Sequence, residues 1–261
     1  MQIFNFERDF NRKMIFGFAV FASMAVILLE QILVLLTERY ALAVVNVFSS
    51  PLATNYFNIN IKYFSDPLGI YSFLNSIITP FFSILSINQG LNIFLIESQN
   101  NTMEFLLTKP FSRRQIFLNK IIYAIYYILL SSLIFLLGSF ISILIISGTG
   151  FSLKLFLLTY LPFPIINAVF MAIGMSLGSF LFMPGASLII SAGVVTLSYL
   201  AGAAGTITQN IPLRYLSPPH YFTSQYILEN NSLEPVFLLV SASIIFIFIW
   251  LSYMLFKRKQ V

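Results

Sequence analysis

Three places in this sequence hold residue types able to carry chemistry. Glu30 interrupts an apolar run beside Gln31. An acid inside such a run is a candidate ion or substrate contact, unless it reaches the membrane interface about two turns away. Gly174-Met175-Ser176-Leu177-Gly178 fits the Gly-x-Ser-x-Gly nucleophile pattern. That pattern needs a strand-to-helix elbow and a histidine. The sole histidine is His220, which follows Pro218-Pro219 with no evident orienting acid, so an intramembrane hydrolase is disfavoured. Gly174 and Gly178 instead form a Gly-x-x-x-Gly helix-packing face. Ser198 and the run Ala201–Gly205, with Gly202 and Gly205, read the same way and suit close helix contact or a dimer interface.

The third place is the stretch from Glu97 to Lys120. Asn101 followed by Glu104 offers a helix cap with an acid at the third helical position. Met103, Leu106 and Leu107 then share one helical face. Pro110 ends that short amphipathic helix. Ser112 and Gln115 match a capping box, flanked by Phe111 and Ile116 as a hydrophobic staple, so a second helix starts there. Arg113 and Arg114 would occupy its first two positions, where a cation opposes the helix dipole by typically about 0.3–1 kcal/mol. Helix stability does not explain them. Topology and anionic headgroups would, as would a partner.

The elements that position these residues are membrane spans. The sequence is 58% hydrophobic and 9% charged, whereas soluble domains carry about 25% charged residues. Such a surface would aggregate in water. Cysteine is absent, which removes disulfides and thiolate metal sites, and no metal site is expected. The net charge of +5 does not point to nucleic acid, because the basic residues flank the apolar runs. The first apolar run, 14–36, is too long for a signal peptide and lacks a small-residue cleavage site.

Spans of about 20 residues fit within 14–36, 70–96, 121–146, 155–182, 186–205 and 235–256. Ser147-Gly148-Thr149-Gly150 is a turn, and Met183-Pro184-Gly185 divides the uncharged stretch between Lys154 and Arg214. Pro162 and Pro164 kink or break the fourth span, either as a packed kink or as a moving hinge. The expected fold is all-α, a single polytopic domain over 1–261 with six transmembrane helices. Arg8, Arg12, Lys13, Lys109, Arg113, Arg114, Lys120, Lys257, Arg258 and Lys259 fall on one side, ten of the fourteen Lys and Arg residues. Both termini and the 97–120 segment are therefore expected to be cytoplasmic.

The 97–120 stretch resembles the cytoplasmic coupling segment of type-2 ATP-binding-cassette (ABC) permeases, in which Glu precedes Gly-Thr-x-Glu-x-Leu-Leu, Pro-x-Ser-Arg and a Lys. The matching residues are Glu97, Thr102, Glu104, Leu106, Leu107, Pro110, Ser112, Arg113 and Lys120, with Asn101 standing where Gly is usual. Leu216 to Phe222 is a weaker echo, departing by its second proline. The resemblance implies the membrane subunit of an ABC exporter in the plasma membrane of a bacterium. Its partners would be two copies of an ATPase subunit and a second permease, identical or paralogous. Glu97, Met103, Glu104, Leu106, Leu107, Phe111, Arg113 and Arg114 would contact the ATPase. The chain contains no Gly-x-x-x-x-Gly-Lys-Ser/Thr loop, so ATP and Mg would sit on that partner and no cofactor on this chain. The cargo would be a drug, peptide, lipid or ion. The competing reading is an ATP-independent secondary transporter or channel built around Glu30. The spans lack the several buried acids and paired broken helices such proteins tend to show.

Overall fold

The computed structural model describes residues 16–37, 39, 66–99, 112–180 and 185–258. Helices α1 (Phe16–Thr37), α2 (Pro67–Gln99) and α3 (Arg113–Ser147) come first. Then follow α4 (Leu153–Tyr160), α5 (Pro162–Phe180) and α6 (Ser187–Thr208). After α6 come α7 (Ile211–Tyr215), a 3-10 turn (Pro218–His220), α8 (Ser224–Asn230) and α9 (Pro235–Arg258). No strand occurs among the described residues. With α4 and α5 taken together, six helices are long and apolar enough to cross a membrane. This architecture satisfies backbone polar groups within each segment, as hydrocarbon requires.

The third helix is longer than its uncharged core. It begins at Arg113, because the Ser112 hydroxyl accepts from the Gln115 amide while the Gln115 side chain accepts from the Ser112 amide. Its 35 residues span about 50 Å, well beyond a hydrocarbon thickness of about 30 Å. At its other end Gly148 takes a positive φ of 56° and stops the helix.

The fourth span is interrupted at Leu161, just before Pro162. Neither Pro162 nor Pro164 has an N–H to return to the preceding turn. Asn75 of α2 braces the break by donating to the Thr159 carbonyl at 3.0 Å. The division between the fourth and fifth spans includes Gly185, with φ 91°; Met183 and Pro184 lie outside the described residues.

At the centre, α2 packs most extensively on α5, and α5 in turn on α9. Both α2 and the α4–α5 pair bury most of their apolar length inside the protein, whereas α1 and α9 turn most of theirs outward. Phe82 anchors one cluster, 5.1 Å from the Phe18 ring and 4.8 Å from the Phe163 ring. Phe94, Phe117 and Phe256 anchor another, at the end where α3 starts and α9 finishes. Outward-facing Leu239, Phe246, Ile189 and Phe180 form the kind of surface that lipid covers.

Candidate functional site

Three helix termini meet at the basic end. Arg113, at the start of α3, donates from Nη1 to the Lys257 carbonyl in the last turn of α9 at 2.9 Å. About two turns further on, Lys120 is fully buried, with its ammonium on the Ile93 carbonyl of α2 and 4.9 Å from the Phe94 ring centre. A buried ammonium needs such acceptors, because the apolar interior does not solvate it. The three helices are thus tied together by side chains from α3. Arg114 is exposed beside Arg113. Glu97 lies in the final turn of α2, with its side chain outside the described residues. Met103, Glu104, Leu106, Leu107 and Phe111 also lie outside them.

Ser176 sits mid-helix in α5, without a strand or an elbow. His220 bonds through Nδ1 to Ser217 Oγ at 2.8 Å. The pair has the wrong setting for a nucleophile and base. Gly174 and Gly178 instead lie against the α2 backbone: a Cβ on Gly178 would sit 2.6 Å from the Leu91 carbonyl oxygen, and one on Gly174 would collide with that of Ile87. Gly90 reciprocates against Met171, with 2.6 Å to its carbonyl oxygen. Gly202 differs from the helix-packing expectation. Its missing side chain makes room for the His220 ring and Ser217, while Gly205 lies against Leu213 and Arg214 of α7.

The segment between α6 and α9 is held over the far end of the bundle. Arg214 donates from Nε to the His220 carbonyl at 2.9 Å and from Nη2 to the Tyr221 carbonyl at 3.1 Å. It also pairs with Glu234 at 2.5 Å and lies 4.3 Å from the Phe237 ring centre. Tyr221 stacks on Phe237 and donates to the Tyr215 carbonyl, and burial pushes its phenol up to about 12. Beneath this roof a pocket with about 40 Å³ of water-accessible space lies among Ser72, Asn75, Ser76, Thr79, Thr159 and Tyr199. That is room for about three waters, and among the described residues no charged side chain lines it.

The sequence matches the family described as ABC-2 family transporter protein over residues 11–261, nearly its whole length. The chain belongs to the ABC-2 transporter family. No curated protein matches it. It is a multi-pass membrane protein and the membrane component of an ABC transport system.

Within this ABC-2 permease, Glu30 is fully buried and its Oε2 accepts a hydrogen bond from Ser142 of α3. Its carboxyl is closed off from the protein surface. Sequence reading gave no hint of Ser142, or of Ser23, which donates to the Ile134 carbonyl at 3.2 Å where α1 crosses α3 at Gly138. A lone glycine or serine in an apolar run carries no pattern until its neighbour helix is known. Arg214 counted only as a charge, although it organises the whole far-end roof.

Proposed function

We propose that this permease is the spanning half of an ATP-driven exporter in the plasma membrane of a bacterium. Its termini and the 97–120 segment face the cytoplasm, where a separate ATPase subunit engages Met103, Leu106, Leu107 and Phe111 by packing and Glu104 and Arg113 by polar contact. Two ATPase copies and a second permease, identical or paralogous, complete the transporter. ATP and Mg belong to the ATPase, and the chain itself binds no cofactor.

The observation that carries this reading is the three-way tie at the basic end. Residues 100–111 join a helix and its neighbour that are fastened by Lys120, while Arg113 fastens the same neighbour to the last helix. A push on that segment therefore moves α2, α3 and α9 together. The backbone contact at Gly174 and Gly178 passes the motion to α5. Backbones in contact have no soft side chain between them to absorb displacement. The far end, with its pocket and roof, is where such motion would open an exit.

Two measurements test the reading. An ABC ATPase encoded beside the gene should copurify with the chain. Glu104→Ala and Arg113→Ala should insert normally yet lose ATP-dependent export. Failure of any ATPase to bind, or full export by both variants, would overturn it. The cargo, whether drug, peptide, lipid or ion, is chosen by running that export assay across those classes.

A further inference from the structure

The pocket under the far-end roof has a one-sided chemistry. Ser72, Ser76 and Thr79 line it from α2 at i, i+4 and i+7 spacing, hence from one helix face. Thr159 lines it from the last turn of α4. A hydroxyl has one proton to give and two lone pairs to receive. All four have already given their proton to a backbone carbonyl of their own helix. Ser72 donates to Gly69 at 3.2 Å, Ser76 to Phe73 at 2.7 Å, Thr79 to Asn75 at 2.6 Å and Thr159 to Phe156 at 2.8 Å. Back-bonding of this kind leaves a serine or threonine only its lone pairs for whatever enters the pocket. Asn75, between them, donates to the Thr159 carbonyl at 3.0 Å.

An occupant of this pocket must therefore donate hydrogen bonds in more than one direction. A cation would do so, but among the described residues no carboxylate lines the pocket, and an uncompensated buried ion is costly. Glu234 in the roof is already paired with Arg214 at 2.5 Å. An anion would meet lone pairs. An amide would bring a carbonyl whose donor these hydroxyls no longer have to give. Room for about three waters is also room for a two-carbon diol. We propose that this pocket binds a vicinal diol, the simplest uncharged unit with two adjacent O–H donors. One hydroxyl donates to the α2 face and the other across the pocket to Thr159. Pro162 and Ile166 close the wall from α5 and meet the carbons of the diol. The site stands on the pocket alone, and only its use as a stop on a cargo's way out rests on the exporter reading.

The full chain in lipid nanodiscs provides the test, with Ser224→Cys in the pocket wall as its sole cysteine. Its labelling rate with a water-soluble thiol reagent should fall saturably as 1,2-ethanediol is added. 1,2-Dimethoxyethane, which keeps both oxygens but has no O–H, should leave the rate unchanged, and so should ethylammonium chloride. Thr79→Val removes one acceptor at nearly constant shape and should raise the half-maximal diol concentration about tenfold. If Thr79→Val fails to fold, Ser76→Ala takes its place. No protection by the diol, equal protection by the diether, or protection unchanged in the acceptor variant would overturn the site. Stronger protection by ethylammonium would overturn the uncharged class of ligand. A cysteine that does not label even without ligand also sinks the proposal, because a closed pocket admits no solute. No ATPase or transport enters this readout, so its failure leaves the exporter reading standing.

Discussion

The two halves of the α2–α5 pair are built on opposite plans. Toward the basic end their backbones touch, with Gly90, Gly174 and Gly178 leaving no space for a Cβ. Toward the far end the same two helices contribute Ser72, Asn75, Ser76, Thr79, Pro162 and Ile166 to the wall of a solvent-sized pocket. The break before Pro162 lies at that end, where α4 stops and α5 starts afresh.

The comparison breaks most severely at the basic end. Gly174→Val should push α5 off α2 and lower stability by about 3 kcal/mol, the upper range for overpacking; a small drop in thermal midpoint would show that the contact yields. At the far end, Arg214→Ala leaves two carbonyls and Glu234 without their donor. A loss of about 2 kcal/mol is expected, with limited proteolysis cutting first between α6 and α9. Uniform destabilisation without new cleavage there would refute the roof. Ser112→Ala removes the α3 cap and should lower stability by about 1 kcal/mol, with hydrogen exchange faster only over the first turn of α3. The gentlest test exploits the absence of cysteine. Ser76→Cys should react with a water-soluble thiol reagent, while Ser86→Cys, in the closed half, should not. Equal labelling would erase the distinction between the halves.

Some of this organisation was readable because it is local. The Ser112–Gln115 capping box needs only residues three apart, and it forms as its spacing predicts. The Gly174–Gly178 spacing announced a close helix contact without naming the partner, which is α2. Gly202 shows the limit of that pattern: its clearance serves the His220 ring of a 3-10 turn rather than a neighbouring span. Glu30 was conspicuous as an acid in an apolar run. Its hydrogen-bond partner is Ser142, 112 positions away by subtraction of their numbers.

Taken alone, the sequence determined the solvent, the helical class and the six spans. Hydrophobicity and the demand for internal backbone hydrogen bonds act on each segment independently of the others. It also determined where one helix starts, because caps are made by near neighbours. The tertiary structure alone decided which faces meet. In hydrocarbon, helices associate by close packing and a few polar contacts rather than by burying apolar surface. Nearly every face of these helices is apolar, so hydropathy does not distinguish a lipid face from a protein face. The tie of Arg113 and Lys120 across three termini, the far-end pocket and the Glu30–Ser142 hydrogen bond all depend on that choice of faces.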